Sequence, residues 1–91
     1  MTKAELINEI AITTGYDKRT IGTIVESSME SIKKSLVEGD NVYLRGFGTF
    51  QIKMRKAKIA RNIHASKSVP VPAHRVATFK PCKELNREMR D

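Results

Sequence analysis

Six cationic side chains fall within fifteen residues of this 91-residue chain: Lys53, Arg55, Lys56, Lys58, Arg61 and Lys67. Ammonium and guanidinium groups at this density do no covalent chemistry unless an acid or a nucleophile stands beside them. What they do well is neutralise the phosphates of a polyanion and release its condensed counterions. No Asp or Glu occurs between Asp40 and Glu84. A solvated surface normally mixes both signs, so a one-sign span of this length reads as an electrostatic footprint. The net charge is +7, from 17 basic and 10 acidic residues. Residues 1–52 carry 6 cations and 7 acids, and residues 53–91 carry 11 and 3, so the whole excess lies in the second part.

The other reactive side chains lack partners. His64 and His74 have no carboxylate near them in sequence to orient an imidazole, and no cluster of further ligands for zinc. They read as polar contacts or solvated groups. Cys82 is the only cysteine, which excludes an intrachain disulfide and fits a reducing compartment. It stands beside Lys83 at the start of a short helix, where a small residue suits the backbone. The stretch Arg-Gly-Phe-Gly-Thr-Phe, residues 45–50, has two glycines whose amides can approach a phosphate, but no G-K-[ST] follows it. By itself it reads as a hairpin turn with a buried phenylalanine.

Several elements must position the basic run. Thr2 and Glu5 form a capping-box pattern ahead of Leu6, Ile7, Ile10 and Ala11, which predicts an amphipathic helix over residues 2–14 ended by Gly15. A second helix is predicted from Lys18 to Glu38, with Asp17 as N-cap and Gly39 as its stop. Its stripe of Ile21, Ile24, Val25, Met29, Ile32 and Leu36 is wider than one small chain needs, which points to a partner subunit. Alternation over Val42–Leu44 and again over Thr49–Ile52, around Gly46-Phe47-Gly48, predicts a β-hairpin. Phe47, Phe50 and Phe79 are the core candidates. The strand then runs on with little apolar side, loses strict alternation around Lys56, turns back near residues 63–68, and returns through Val69–Ala73. Pro70 and Pro72 lack N–H groups on the same edge, which an outer edge tolerates. Residues 53–74 therefore read as an extended β-ribbon arm, against the alternative of a disordered basic loop. A strand resumes over Arg75–Lys80, and Pro81 opens a short last helix carrying Leu85 and Met89. No apolar run approaches membrane-spanning length, and the first ten residues lack the apolar core of a secretory signal.

With these residues in hand, the chain resembles the bacterial histone-like DNA-binding proteins, the HU and integration host factor family, over essentially its full length. The likeness rests on K-A-E-L-I in the first helix, L-V-E-G-D at the end of the second, and the turn R-G-F-G-T-F. It continues through Arg61-Asn62 in the arm and A-T-F-K-P-C-K-E-L near the end. The resemblance implies an α+β fold in a single domain over 1–91. Residues 1–39 would be a helical dimerisation region, 40–81 a three-stranded antiparallel β-saddle with its arm at about 53–74, and 82–91 a C-terminal helix.

The resemblance further implies an intertwined dimer, as a homodimer or as a heterodimer with a related chain. Two ribbon arms would follow the minor groove of double-stranded DNA, and an apolar residue at each tip would wedge between base steps. Carried over by position, the DNA-binding residues would be Lys3 at the first helix and Gly46 and Gly48 by their backbone amides. Lys53, Arg55, Lys56 and Lys58 would line the arm base. Arg61, Asn62, Ile63 and Lys67 would act toward the tip, and Arg75, Lys80 and Lys83 on the saddle flank. No cofactor, metal, membrane or catalytic step is implied, and the place of action would be the bacterial nucleoid in the cytoplasm. The chain departs from the family pattern at Ile63, where proline usually follows Arg-Asn, and at His64-Ala65-Ser66-Lys67, where the tip usually holds glycine.

Three other readings compete. One is a sequence-selective bender resembling integration host factor. Another is an RNA-associated basic structural protein, against which stands the lack of an aromatic stacking platform. The third is a nuclease, against which stands the lack of a carboxylate in the basic region to hold a metal.

Overall fold

The computed structural model describes residues 1–62 and 67–90. The order of elements is α1 (Lys3–Thr14), α2 (Lys18–Val37), β1 (Val42–Leu44), β2 (Gly48–Arg55), β3 (Lys58–Asn62), β4 (Lys67–Val71), β5 (His74–Pro81) and α3 (Lys83–Glu88). The fold class is α+β, with two N-terminal helices, antiparallel strands and a short C-terminal helix. The chain divides into two compact units, Met1–Lys34 and Ser35–Asp91.

In the first unit, α1 starts where the side chain of Thr2 accepts a hydrogen bond from the Glu5 N–H at 3.2 Å. It stops where the Gly15 N–H donates to Ala11 O at 2.8 Å. The Asp17 carboxylate accepts from the Thr20 N–H at 3.2 Å and caps α2. Both caps answer backbone donors that a helix leaves open in its first turn. Ile21 on α2 is 4% exposed, and no other large apolar side chain among the described residues is buried. Ile24 and Met29, on the same apolar stripe, are 59% and 51% exposed.

In the second unit, α2 ends as Gly39 and Asp40 donate backbone N–H groups to Leu36 O and Ser35 O, at 3.1 and 2.9 Å. A three-stranded antiparallel sheet follows, in the order β1-β2-β5. The β1–β2 turn closes through the Phe47 N–H to Leu44 O at 2.9 Å, with Gly46 at φ +84° in its third position. That backbone is strained for any residue with a Cβ. Gly48 is required for a different reason. A Cβ there would lie 2.5 Å from the Phe79 ring and 2.6 Å from Lys80 O, so the strand passes too close to β5 for a side chain. Phe79 stacks in tilted geometry on both Phe47 and Phe50, each with ring centroids 5.0 Å apart. Phe50 is half-buried, but Phe47 and Phe79 are 48% and 38% exposed, so the core expected of them is incomplete within one chain.

The arm comes in two stretches: β2 pairs with β5 as far as Arg55↔His74, and a separate two-stranded sheet, β3-β4, begins at Lys58↔Val71. Two expectations about the prolines need correction. Lys56-Ala57 and Pro72-Ala73 interrupt the two strands at the same level. Pro72 therefore stands outside the ladder, and only Pro70 lies within it, opposite Ile59. Lacking an N–H, Pro70 fits only a pair that exchanges no backbone hydrogen bonds, with its nitrogen on the outer edge. Finally, Pro81 does not open the last helix. It is the last residue of β5, opposite Gly48, and Cys82 is the N-cap of α3, its Sγ accepting from the Leu85 N–H at 3.4 Å.

Candidate nucleic-acid interface

Cross-strand partners in a sheet share a face, and alternate residues along a strand change face. The β2–β5 register puts Lys53 opposite Val76, Arg55 opposite His74, and Thr49 opposite Lys80. Lys53, Arg55 and Lys80 therefore project from one face of the sheet, all three exposed. The intervening positions, Phe50, Ile52, Met54, Phe79 and Ala77, make the other face apolar. The sheet is thus two-faced, with cations on one side and the aromatic cluster on the other.

At the turn end of this sheet lies an open cleft of about 430 Å³, lined by Arg45, Gly46, Lys80, Cys82 and Lys83 together with Tyr43. It unites Gly46, Gly48, Lys80 and Lys83, all expected at the site from the sequence, and adds Arg45 and Tyr43, which were not. Tyr43 pairs with Thr49, so it belongs to the cationic face, and the residue is 75% exposed. The available signal was the alternation of β1, which sets Tyr43 opposite in facing to Val42 and Leu44.

Further along, Lys56 is exposed at the interruption after β2. His74, the register partner of Arg55, donates from Nδ1 to Pro72 O at 2.9 Å. Lys58 is exposed at the start of β3. Ala57, Lys58 and Ile59 form a shallow hollow with Pro70, Val71 and Pro72, and Ile59 is 74% exposed. Arg61, Asn62 and Lys67 lie at the far end of the β3–β4 ladder, where Arg61 is opposite Ser68 and Asn62 opposite Lys67. Ile63 lies outside the described residues, as does His64.

Three sequence-expected site residues have other employment. Gly48 is buried, and the approach of Phe79 accounts for it. Arg75 is opposite Met54 in the register, so it belongs to the apolar face and not with Lys53, Arg55 and Lys80. Its guanidinium donates to Val37 O at 3.4 Å, where a cation suits the C-terminus of α2. Lys3 forms an ion pair with Glu26 on α2. Both side chains are about half exposed, so water screens the pair and a stronger anion can compete for the ammonium.

Among the described residues, no three His, Cys, Asp and Glu side chains come together as a metal site. Nor is any described helix long and apolar enough to cross a membrane.

A small sheet that carries cations on one face and narrows into a cationic ribbon is a scaffold for lying along a polyanion. The family model described as "Bacterial DNA-binding protein" matches residues 1–90. DNA-binding protein HU of Geobacillus stearothermophilus is 40% identical over 85 residues, covering 93% of this chain and 94% of that protein. Integration host factor subunit alpha of Myxococcus xanthus is 36% identical over 85 residues, covering 93% of this chain but 66% of the relative's length. Among solved structures, an Anabaena HU–DNA cocrystal structure matches 97% of this chain and 96% of its own, at 31% identity and a TM-score of 0.90. HU from Thermotoga maritima matches 99% of this chain and 100% of its own, at 26% identity and a TM-score of 0.70. The chain belongs to the bacterial DNA-binding protein family of HU and integration host factor.

Proposed function

We propose that this protein is an architectural DNA-binding protein that bends and compacts double-stranded DNA with little regard to sequence. One observation carries the reading: Lys53, Arg55 and Lys80 share one sheet face that leads into the β3–β4 ribbon, in a span without a single acid. Cations so placed follow a phosphate backbone, and affinity then comes mainly from counterion release, with preference set by the deformability of the duplex. Two copies, or this chain and a related one, assemble through the half-covered stripe of α2 and the exposed rings of Phe47 and Phe79. The two arms then enter the minor groove, and Ile63 at each tip wedges between base steps. The protein works in the cytoplasm on the bacterial nucleoid, and its task is binding and shaping, with no chemical step.

Gel-shift titration against intact, nicked and cruciform DNA of equal length tests this reading. Pre-distorted DNA needs less bending work and should bind more tightly than intact duplex. Equal affinity for all three, or tighter binding to RNA of the same length, would reject it. A strong preference for one sequence among intact duplexes would identify a sequence-selective bender instead.

A further inference from the structure

The pairing of β1 with β2 ends at Val42↔Phe50, whereas β2 and β5 continue together to Arg55↔His74. Beyond Phe50 the sheet has only two strands, and the next N–H of β2 on that open edge belongs to Ile52. It is not left to water, because Asn41 Oδ1 accepts it at 3.0 Å. The Asn41 side chain therefore does the work of one more residue of β1. On the other ribbon strand, Arg75 donates its guanidinium to Val37 O at 3.4 Å. The end of α2 and its connection to β1 thus hold both strands of the ribbon where the third strand runs out. Ser35 stiffens that connection, its hydroxyl donating to Asp40 O at 3.1 Å.

We propose that Asn41 and Arg75 are positioning residues that clamp the root of the arm and fix the direction in which it leaves the sheet. The inference rests on the DNA-bending reading for its consequence, but its structural part does not. A two-stranded ribbon is marginal by itself. Its direction is set at its root, and a free root would let the arm swing and spread the bend it imposes on a duplex. Neither residue need touch DNA for this.

The test is Asn41→Ala, which removes the acceptor and changes no charge. In the free protein, amide exchange at Ile52 should become about fivefold faster, the loss expected for one hydrogen bond. Amides of α1 should keep their rates, which separates loss of the clamp from general unfolding. Residual dipolar couplings of the β3–β4 amides should shrink, reporting a less ordered arm. On a short duplex with a dye at each end, the distribution of end-to-end distances should broaden, while the salt dependence of binding stays that of the parent. Asn41→Asp puts a carboxylate oxygen where the amide oxygen was, so it keeps the acceptor and should retain parental Ile52 exchange and arm couplings. Unchanged Ile52 exchange in Asn41→Ala, unchanged arm couplings, or an Asn41→Asp variant that behaves like Asn41→Ala would each overturn the proposal. A parent protein that does not bend DNA at all would count against the proposed function, and the exchange and coupling measurements would still decide on the clamp.

Discussion

Lys53 and Arg75 carry the same charge, lie on neighbouring strands and are one register step apart, yet they belong to opposite faces of the sheet. Replacing either by Ala changes the net charge equally, so a reading based on bulk charge predicts equal effects. The two-faced sheet predicts different ones. In a homodimer with both arms engaged, Lys53→Ala removes two phosphate contacts, and the slope of log affinity against log salt should shrink by about 1.8. Between about 50 and about 200 mM salt, the parent should therefore lose about twelvefold more affinity than the variant does. Arg75→Ala should leave the slope within experimental error of the parent, because its guanidinium points to Val37 O and not to the cationic face. Fluorescence anisotropy titrations of one labelled duplex at four or five salt concentrations measure both slopes. Equal reductions in the two variants, or none in Lys53→Ala, would refute the assignment of faces.

Gly48→Ala should be strongly destabilising, since its Cβ meets both a ring and a backbone carbonyl within 2.6 Å. Overpacking of this kind costs about 1–3 kcal/mol, and a melting temperature by circular dichroism equal to the parent's would contradict it. Light scattering without DNA should give a dimer, and Ile32→Asp should lose fold and assembly together, because the two share one core. A stable folded monomer at micromolar concentration would oppose this. At the arm tip, Ile63→Ala should reduce bending far more than the salt-dependent part of affinity, whereas Ile63→Pro should preserve bending. Energy transfer across a short duplex at saturating protein distinguishes the two, and a parental bend in Ile63→Ala would remove the wedge.

Much of the architecture is local and was therefore legible in the chain. Thr2 and Asp17 cap the helices three residues ahead of the amides they serve, and the hairpin around Gly46 closes over four residues. The basic arm announced itself by the missing acids. What stayed hidden depends on partners far away in sequence. The packing need for Gly48 shows only once the ring of Phe79, folded back from β5, occupies the space a Cβ would take. Arg75 looks like one more cation of the saddle flank until its register opposite Met54 turns it to the apolar face and toward Val37 O. That the breaks at Lys56-Ala57 and Pro72-Ala73 fall at the same level also depends on the register of two strands that meet only in the fold. Pro81 misled because proline suits a first helical turn as well as a strand end, and the cap supplied by Cys82 decided between them.

The central claim is that binding bends the duplex, and bending can be read directly. A short double-stranded DNA carrying a donor and an acceptor dye at its ends should show a large rise in energy transfer as the protein saturates it. A nicked duplex should reach the same bent state at lower protein concentration, since its deformation costs less. Saturated binding with energy transfer unchanged from that of free, straight DNA would contradict the account.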